Sequence, residues 1–228
     1  MSHYSSPYRL VFFDNDGTLT ANRVSWVYMH THLGTWGPES RRLLESHLAN
    51  KTPYDEYARE SVKAWKGIPK ERFLERLRTI EIRPDIGKVV HILREAGMKL
   101  TLMSSGFSLW KEVWLEREGI EWDYYRANDI VFDEQGLCTG EIVMNVTDNV
   151  PGTDKGSLVE QIATLEGVSK EQRVFVGDGR GDILGFEKCA FGIAIDPESE
   201  EVRAAARYVL KGDDFGRIVD ILVPADRA

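Results

Sequence analysis

An α/β fold, a doubly wound and mostly parallel sheet with an inserted helical cap, is predicted by three features of this sequence. Short apolar runs alternate with helical segments in both flanks of the chain. Three of those runs end in polar, glycine-containing motifs, and an almost wholly helical block interrupts the alternation after the first run. Such alternation favours parallel strands joined by right-handed crossovers. The α/β core is expected to comprise residues 1–20 and 84–228, and the helical cap residues 21–83.

Taken in order, Leu10–Phe13 is too short and apolar for a surface helix and reads as a buried parallel strand. In the cap, helices are expected at Glu39–Asn50, Pro53–Lys66 and Pro69–Thr79, the last two starting on prolines, which suit a first helical turn. From Pro84 the alternation resumes with a helix Asp85–Ala96, a strand Met98–Met103 and a helix Phe107–Glu118. Asn128–Val146 is β-rich around Asp133-Glu134-Gln135-Gly136 and reads as a hairpin-like excursion. A helix Lys155–Glu166, a strand Arg173–Val176, a helix Asp182–Lys188, a strand Phe191–Ile195 and a terminal α/β stretch follow.

The strand ends carry the chemistry. Asp14 and Asp16 follow the first strand, at the carboxyl end where open α/β sheets bind ligands. Ser104-Ser105-Gly106-Phe107 follows the second, offering a hydroxyl and backbone N–H groups where a helix is expected to begin. Thr153-Asp154-Lys155-Gly156 opens another helix and supplies a lone cation, and Asp178 and Asp182 follow Arg173–Val176. Four carboxylates in one cleft would repel one another without a cation, and an oxygen-only site beside phosphate suits Mg2+. Asp14 is then the candidate nucleophile. Ser104 and Lys155 would hold the phosphoryl oxygens, and Asp16 would shuttle the proton.

These motifs, Asp14-Asn15-Asp16-Gly17-Thr18, Ser104-Ser105-Gly106-Phe107, Asp154-Lys155-Gly156 and Gly177-Asp178-Gly179 through Asp182, resemble in content and order the haloacid dehalogenase (HAD) superfamily, specifically its phosphoserine-phosphatase-like branch. The resemblance runs from about Arg9 to Asp196 and implies a Rossmann-like core. It implies that Asp14 is both nucleophile and metal ligand, that Asp16 lends its backbone carbonyl to the metal, and that Asp178 is the third protein ligand. Asp182 would stand behind them, orienting a metal-bound water or Lys155. Ser104, Ser105, Gly106 and Lys155 would bind phosphate. An acid at Asp16 favours ester hydrolysis over ion pumping or halide displacement, because family ATPases carry Thr there and dehalogenases lack the acid.

The expected activity is that of a Mg2+-dependent phosphatase acting on a small phosphorylated metabolite through an aspartyl-phosphate. The alternatives are phosphoryl transfer to an organic alcohol, a true L-phosphoserine phosphatase, and a non-catalytic phosphate-binding module. Where the branch's serine-phosphate enzymes carry a Glu for the substrate ammonium, this chain has Arg23. Their cap arginine falls on Ser61 and their fourth-motif asparagine on Gly181, which disfavours L-phosphoserine and leaves Arg59 as an unaligned candidate clamp. Arg23 is expected to bind substrate through a second anionic group. The cap aromatics Trp26, Tyr28, Trp36, Tyr54, Tyr57 and Trp65 read mainly as packing, and His30 and His32 as solvated histidines.

The composition agrees. With 228 residues, 42% of them hydrophobic, the chain can bury a full core. Its 29 basic and 37 acidic residues give a net charge of −8 without a basic stripe, which argues against a nucleic-acid partner. No apolar stretch approaches the ~20 residues of a membrane span, and residues 1–7 lack the features of a secretion signal. A cytoplasmic monomer or homodimer is expected, with Cys138 and Cys189 as free thiols.

Overall fold

A computed structural model of the chain describes residues 6–23 and 25–223, so part of the amino-terminal segment read above lies outside the described residues. Strands β1 (Leu10–Phe13), β2 (Lys99–Phe107), β3 (Tyr124–Phe132), β4 (Cys138–Val143), β5 (Arg173–Gly177), β6 (Phe191–Ile195) and β7 (Tyr208–Leu210) form one sheet in the order β4-β3-β2-β1-β5-β6-β7. Every pairing is parallel except β3 with β4. Because side chains alternate along a strand, Val11 and Phe13 enter one apolar cluster while Leu10 and Phe12 enter another on the opposite face. Both faces of β1 are therefore buried, which is why its sequence is an unbroken apolar run.

The helices between β1 and β2 are α1 (Ser25–His32), α2 (Pro38–Leu48), α3 (Tyr54–Lys63), α4 (Lys70–Leu77) and α5 (Ile86–Glu95). The segment holding α1 to α4 leaves and returns through a paired neck: Thr20 bridges Ile82, the Ala21 N–H donates to the Glu81 carbonyl, and the Arg83 N–H donates to the Leu19 carbonyl. Pro53 and Pro69 are helix N-caps, just outside α3 and α4, whereas Pro38 occupies the first turn of α2. The sequence reading has no counterpart to α1. Its residues, SWVYMHTH, are weak helix formers apart from Met29, and the helix is fixed by Trp26, Met29 and His30, which bury together at i, i+3 and i+4.

Two boundaries differ in ways that matter for the site. β2 runs on through Phe107, and α6 begins only at Trp110 and ends at Glu118. The hairpin expected at Asn128–Val146 is the edge of the main sheet. β3 starts at Tyr124, pairs in parallel with β2, and then turns at Asp133–Gly136 into β4. Backbone hydrogen bonds from Gly67 to Cys138, from Cys138 to Ile68 and from Lys70 to Gly136 tie the α3–α4 connection to this hairpin. No helix among the described residues is long and apolar enough to cross a membrane. Cys138 and Cys189 are free and buried.

Candidate active site

The central strand β1 lies between β2 and β5, where the chain's winding reverses direction, and its carboxyl end opens into a crevice. Asp14 leaves β1 there, its N–H donating to the Val176 carbonyl at 2.9 Å. The loop that follows turns at Gly17, whose φ is +83°; a Cβ there would stand 2.2 Å from the Asp178 carboxylate. Gly17 thus serves both the turn and the close approach of Asp178 from the end of β5.

Lys155, the first residue of α7 (Lys155–Glu166), is buried between two carboxylates, with Nζ 2.8 Å from Asp14 and 2.5 Å from Asp182. Asp154 caps that helix by accepting from the Ser157 N–H. The second Asp182 oxygen accepts from the Asp178 and Gly179 N–H groups, each at 2.9 Å, so Asp182 is fully engaged in positioning its neighbours. Thr18 donates to Asp178 at 2.9 Å. Carboxylate oxygens of Asp14, Asp178 and Asp182 lie within 4.8 Å of one another.

Electrostatics follow from this crowding. Burial raises Asp14 to about 7, opposed by Lys155 and reinforced by Asp182 and Asp16. Burial also lifts Asp178 well above the usual carboxylate range, with repulsion from Asp14 and Asp182 added. Desolvation alone would depress the Lys155 ammonium, but Asp14 and Asp182 hold it above the ordinary lysine value. A buried group of acids with one cation fits a further hard divalent cation, and Asp14 and Asp178 are the acids whose charge it would relieve.

The Asp16 side chain is turned out of that group. It accepts from Ser25 of α1 at 2.5 Å and from the Asn15 amide at 2.8 Å, and burial raises it to about 6 against those hydrogen bonds. The amide oxygen of Asn15 in turn accepts from the Trp114 indole at 2.9 Å. Asp182, not the Asp16 side chain, completes the carboxylate cluster. Ser25, Asn15 and Thr18 are the positioning residues that sequence reasoning missed, since a hydroxyl or amide near a motif gives no directional signal until the fold is known.

Ser104 is buried at the foot of the crevice, its hydroxyl accepting from the Gly106 N–H at 3.0 Å. The β2–β3 register slips between Met103 and Phe107, so the backbone donors of this motif belong to a bulged strand and not to a helix N-terminus as the sequence suggested. A Cβ at Gly106 would lie 2.8 Å from the Asp16 carboxylate, which leaves glycine as the residue that fits.

The crevice is a cavity of about 430 Å3 that brings together Asp14, Asp16, Arg23, Ser104, Ser105, Gly106, Lys155, Asp178 and Asp182. Arg23 is aimed at its floor: one guanidinium nitrogen is 3.6 Å from Asp178 and another donates to the Asp196 carbonyl. Arg59 and Ser61 do not line it. His30 corrects the reading of solvated histidines. It is buried against Trp65 with its Nδ1 2.8 Å from the Thr35 hydroxyl, and burial lowers it to about 4, whereas His32 is exposed.

Comparisons with known proteins identify the family. The family model of haloacid dehalogenase-like hydrolases matches residues 11–187. A phosphoserine phosphatase of Archaeoglobus fulgidus is 31% identical over 226 residues, covering 99% of this chain and 63% of its own length. The chain thus spans just under two thirds of that relative. One of Methanocaldococcus jannaschii is 26% identical over 186 residues, covering 82% of this chain and 84% of its own. A solved structure described as a phospho-aspartyl intermediate analogue of phosphoserine phosphatase superposes with a TM-score of 0.78 at 25% identity, over 94% of this chain and 99% of that one.

Proposed function

Because the chain belongs to the haloacid dehalogenase-like hydrolase family, in its phosphoserine-phosphatase-like branch, we propose that it is a Mg2+-dependent phosphomonoesterase hydrolysing the phosphate ester of a small metabolite through phospho-Asp14. The observation that carries this reading is the buried Asp14–Lys155–Asp182 bridge beneath a cleft in which a second acid, Asp16, is held separately. One carboxylate is thereby kept beside a cation and another is kept for proton transfer. A solved relative described as a phospho-aspartyl analogue supports the covalent route.

In this mechanism the phosphoryl oxygens are held by the Lys155 ammonium, the Ser104 hydroxyl, which the Gly106 N–H orients, and the Ser105 N–H. An Asp14 oxygen attacks phosphorus while the bond to the ester oxygen breaks, and Asp16 gives its proton to the departing alkoxide. Asp16 then takes a proton from the water that attacks phospho-Asp14, which releases phosphate and restores both acids. Held by Asp14, Asp178 and the Asp16 backbone carbonyl, Mg2+ would supply neutralisation of the negative charge on the phosphoryl oxygens. The segment of residues 21–83 acts as a cap that excludes bulk water from the acyl phosphate.

Phosphate release from a panel of metabolite phosphates in Mg2+ tests the activity. Turnover is expected to vanish with a chelator and to return with Mg2+, but to recover poorly with Ca2+, which prefers more ligands at longer distances. Full activity in metal-free buffer contradicts the reading. Asp16→Asn is expected to lose about 10²–10⁴-fold in kcat on an alkyl phosphate and much less on an activated aryl phosphate, whose leaving group needs little protonation. Equal losses on the two substrates would assign Asp16 a purely structural part.

A further inference from the structure

The cleft has two unlike walls. Its floor carries the ionised groups of the proposed reaction. Its roof is built from Trp26 of α1, Leu44, His47 and Leu48 of α2, and Tyr54 and Tyr57 of α3. Leu44, His47 and Leu48 stand at i, i+3 and i+4 on one face of α2, and Tyr54 and Tyr57 at i and i+3 on α3. The two faces meet where His47 stacks on Tyr57, ring centroids 4.8 Å apart and planes 12° from parallel.

The polar atoms of Trp26 and Tyr54 in this roof are already spent. The Trp26 indole donates to the Tyr54 hydroxyl at 3.1 Å, and that hydroxyl donates to the Ser105 carbonyl. The Tyr57 hydroxyl is buried beside Ser61, away from solvent, and makes no hydrogen bond among the described residues. His47 Nδ1 lies 3.0 Å from the Thr52 carbonyl; a carbonyl only accepts, so Nδ1 carries a hydrogen and is engaged there. The roof holds no carboxylate, ammonium or guanidinium.

Nor do the charged groups at the rim face it. Arg23 rests on Asp178 and the Asp196 carbonyl, Arg180 pairs with Glu201 at 3.0 Å, and Glu198 accepts from the Arg180 N–H at 2.7 Å. Asp148 lines the same cleft and lies within the field of Lys155 and Asp182.

Resting on the phosphomonoesterase reading above, we propose that the leaving alcohol is uncharged and has an apolar or aromatic body that packs on the Tyr54–Tyr57–His47 wall and the two leucines. A zwitterionic amino-acid alcohol would bring an ammonium and a carboxylate against a wall that offers no carboxylate, ammonium or guanidinium to pair with them, and a buried unpaired charge is costly. Leu48 is 70% exposed, so the cleft mouth offers apolar surface that such a body would cover. The size of the cavity suits a small ligand.

The test compares alkyl esters of similar intrinsic reactivity in Mg2+: benzyl phosphate, L-phosphoserine, phosphocholine and methyl phosphate. Benzyl phosphate is expected to have the highest kcat/KM, by at least about tenfold over the two charged esters, with most of the difference in KM. Leu44→Asp, and the more exposed Leu48→Asp should the first fail to fold, is expected to raise KM for benzyl phosphate at least about fivefold. For methyl phosphate, too short to reach α2, the rise in KM should be several-fold smaller than for benzyl phosphate in either variant. Arg23→Ala, by contrast, should weaken all four esters alike, because that guanidinium faces the floor. Preference for phosphoserine or for phosphocholine, or a KM for benzyl phosphate unmoved by both leucine variants, overturns the proposal while leaving the phosphatase reading intact. Failure to hydrolyse any of the four, methyl phosphate included, overturns both.

Discussion

Asp14→Asn is expected to reduce kcat by at least about 10³-fold on every substrate, because an amide neither attacks phosphorus nor binds a hard cation well. The fold should survive. Asp14 is a carboxyl whose folded pKa lies above its unfolded one, so its ionisation at neutral pH opposes folding, and a neutral amide of the same shape removes that cost. The amide oxygen can still accept from Lys155. Thermal unfolding of the metal-free variant should therefore show a Tm no lower than the parent's. Turnover within tenfold of the parent would rule out the covalent route, and a collapsed Tm would show that Asp14 is needed for folding.

Lys155→Met should damage both function and fold. The substitution removes the one cation between Asp14 and Asp182 and leaves buried acids uncompensated, a change worth about 3–5 kcal/mol when one partner of a buried pair is lost. Catalysis should fall by a further two to three orders of magnitude, roughly the effect of losing one preorganised donor at a developing charge. The two effects separate by titration with Mg2+, which should restore part of the Tm by relieving the same repulsion but little of the rate. An unchanged Tm in metal-free buffer would mean that the bridge contributes nothing net to stability.

Most of this arrangement was legible in the sequence because a buried parallel strand writes itself as an apolar run, and a ligand site lies where that run stops. Asp14, Lys155, Asp178 and Asp182 could be placed in one crevice on that ground, although their separation in sequence is large. What was hidden depended on contacts across the fold. The α1 helix is made by the burial of Trp26, Met29 and His30 and not by helix propensity, so its Ser25 could not be foreseen above Asp16. The bulge at Ser104–Gly106 extends β2, because pairing with β3 tolerates the slip and no local residue marks it. His30 is apolar in behaviour only because Trp65 encloses it. Arg23 could be placed near the cleft by its nearness to Asp14, but only the loop geometry shows that it faces Asp178 and not the roof.

The contact between Trp114 and Asn15 fixes a direction. An indole nitrogen has one hydrogen to give and no lone pair to offer, so the amide beside it must present oxygen. The other end of that amide then presents two hydrogens, and one of them meets Asp16. Trp114 and Asn15 are both wholly enclosed, so no solvent rearrangement competes with this choice. A tryptophan on α6 thus acts as a polarity key: without touching a substrate, it decides that Asp16 meets a donor on its inner side. An aspartate in place of Asn15 would turn the key the wrong way, setting oxygen against oxygen beside the acid proposed to deliver the proton.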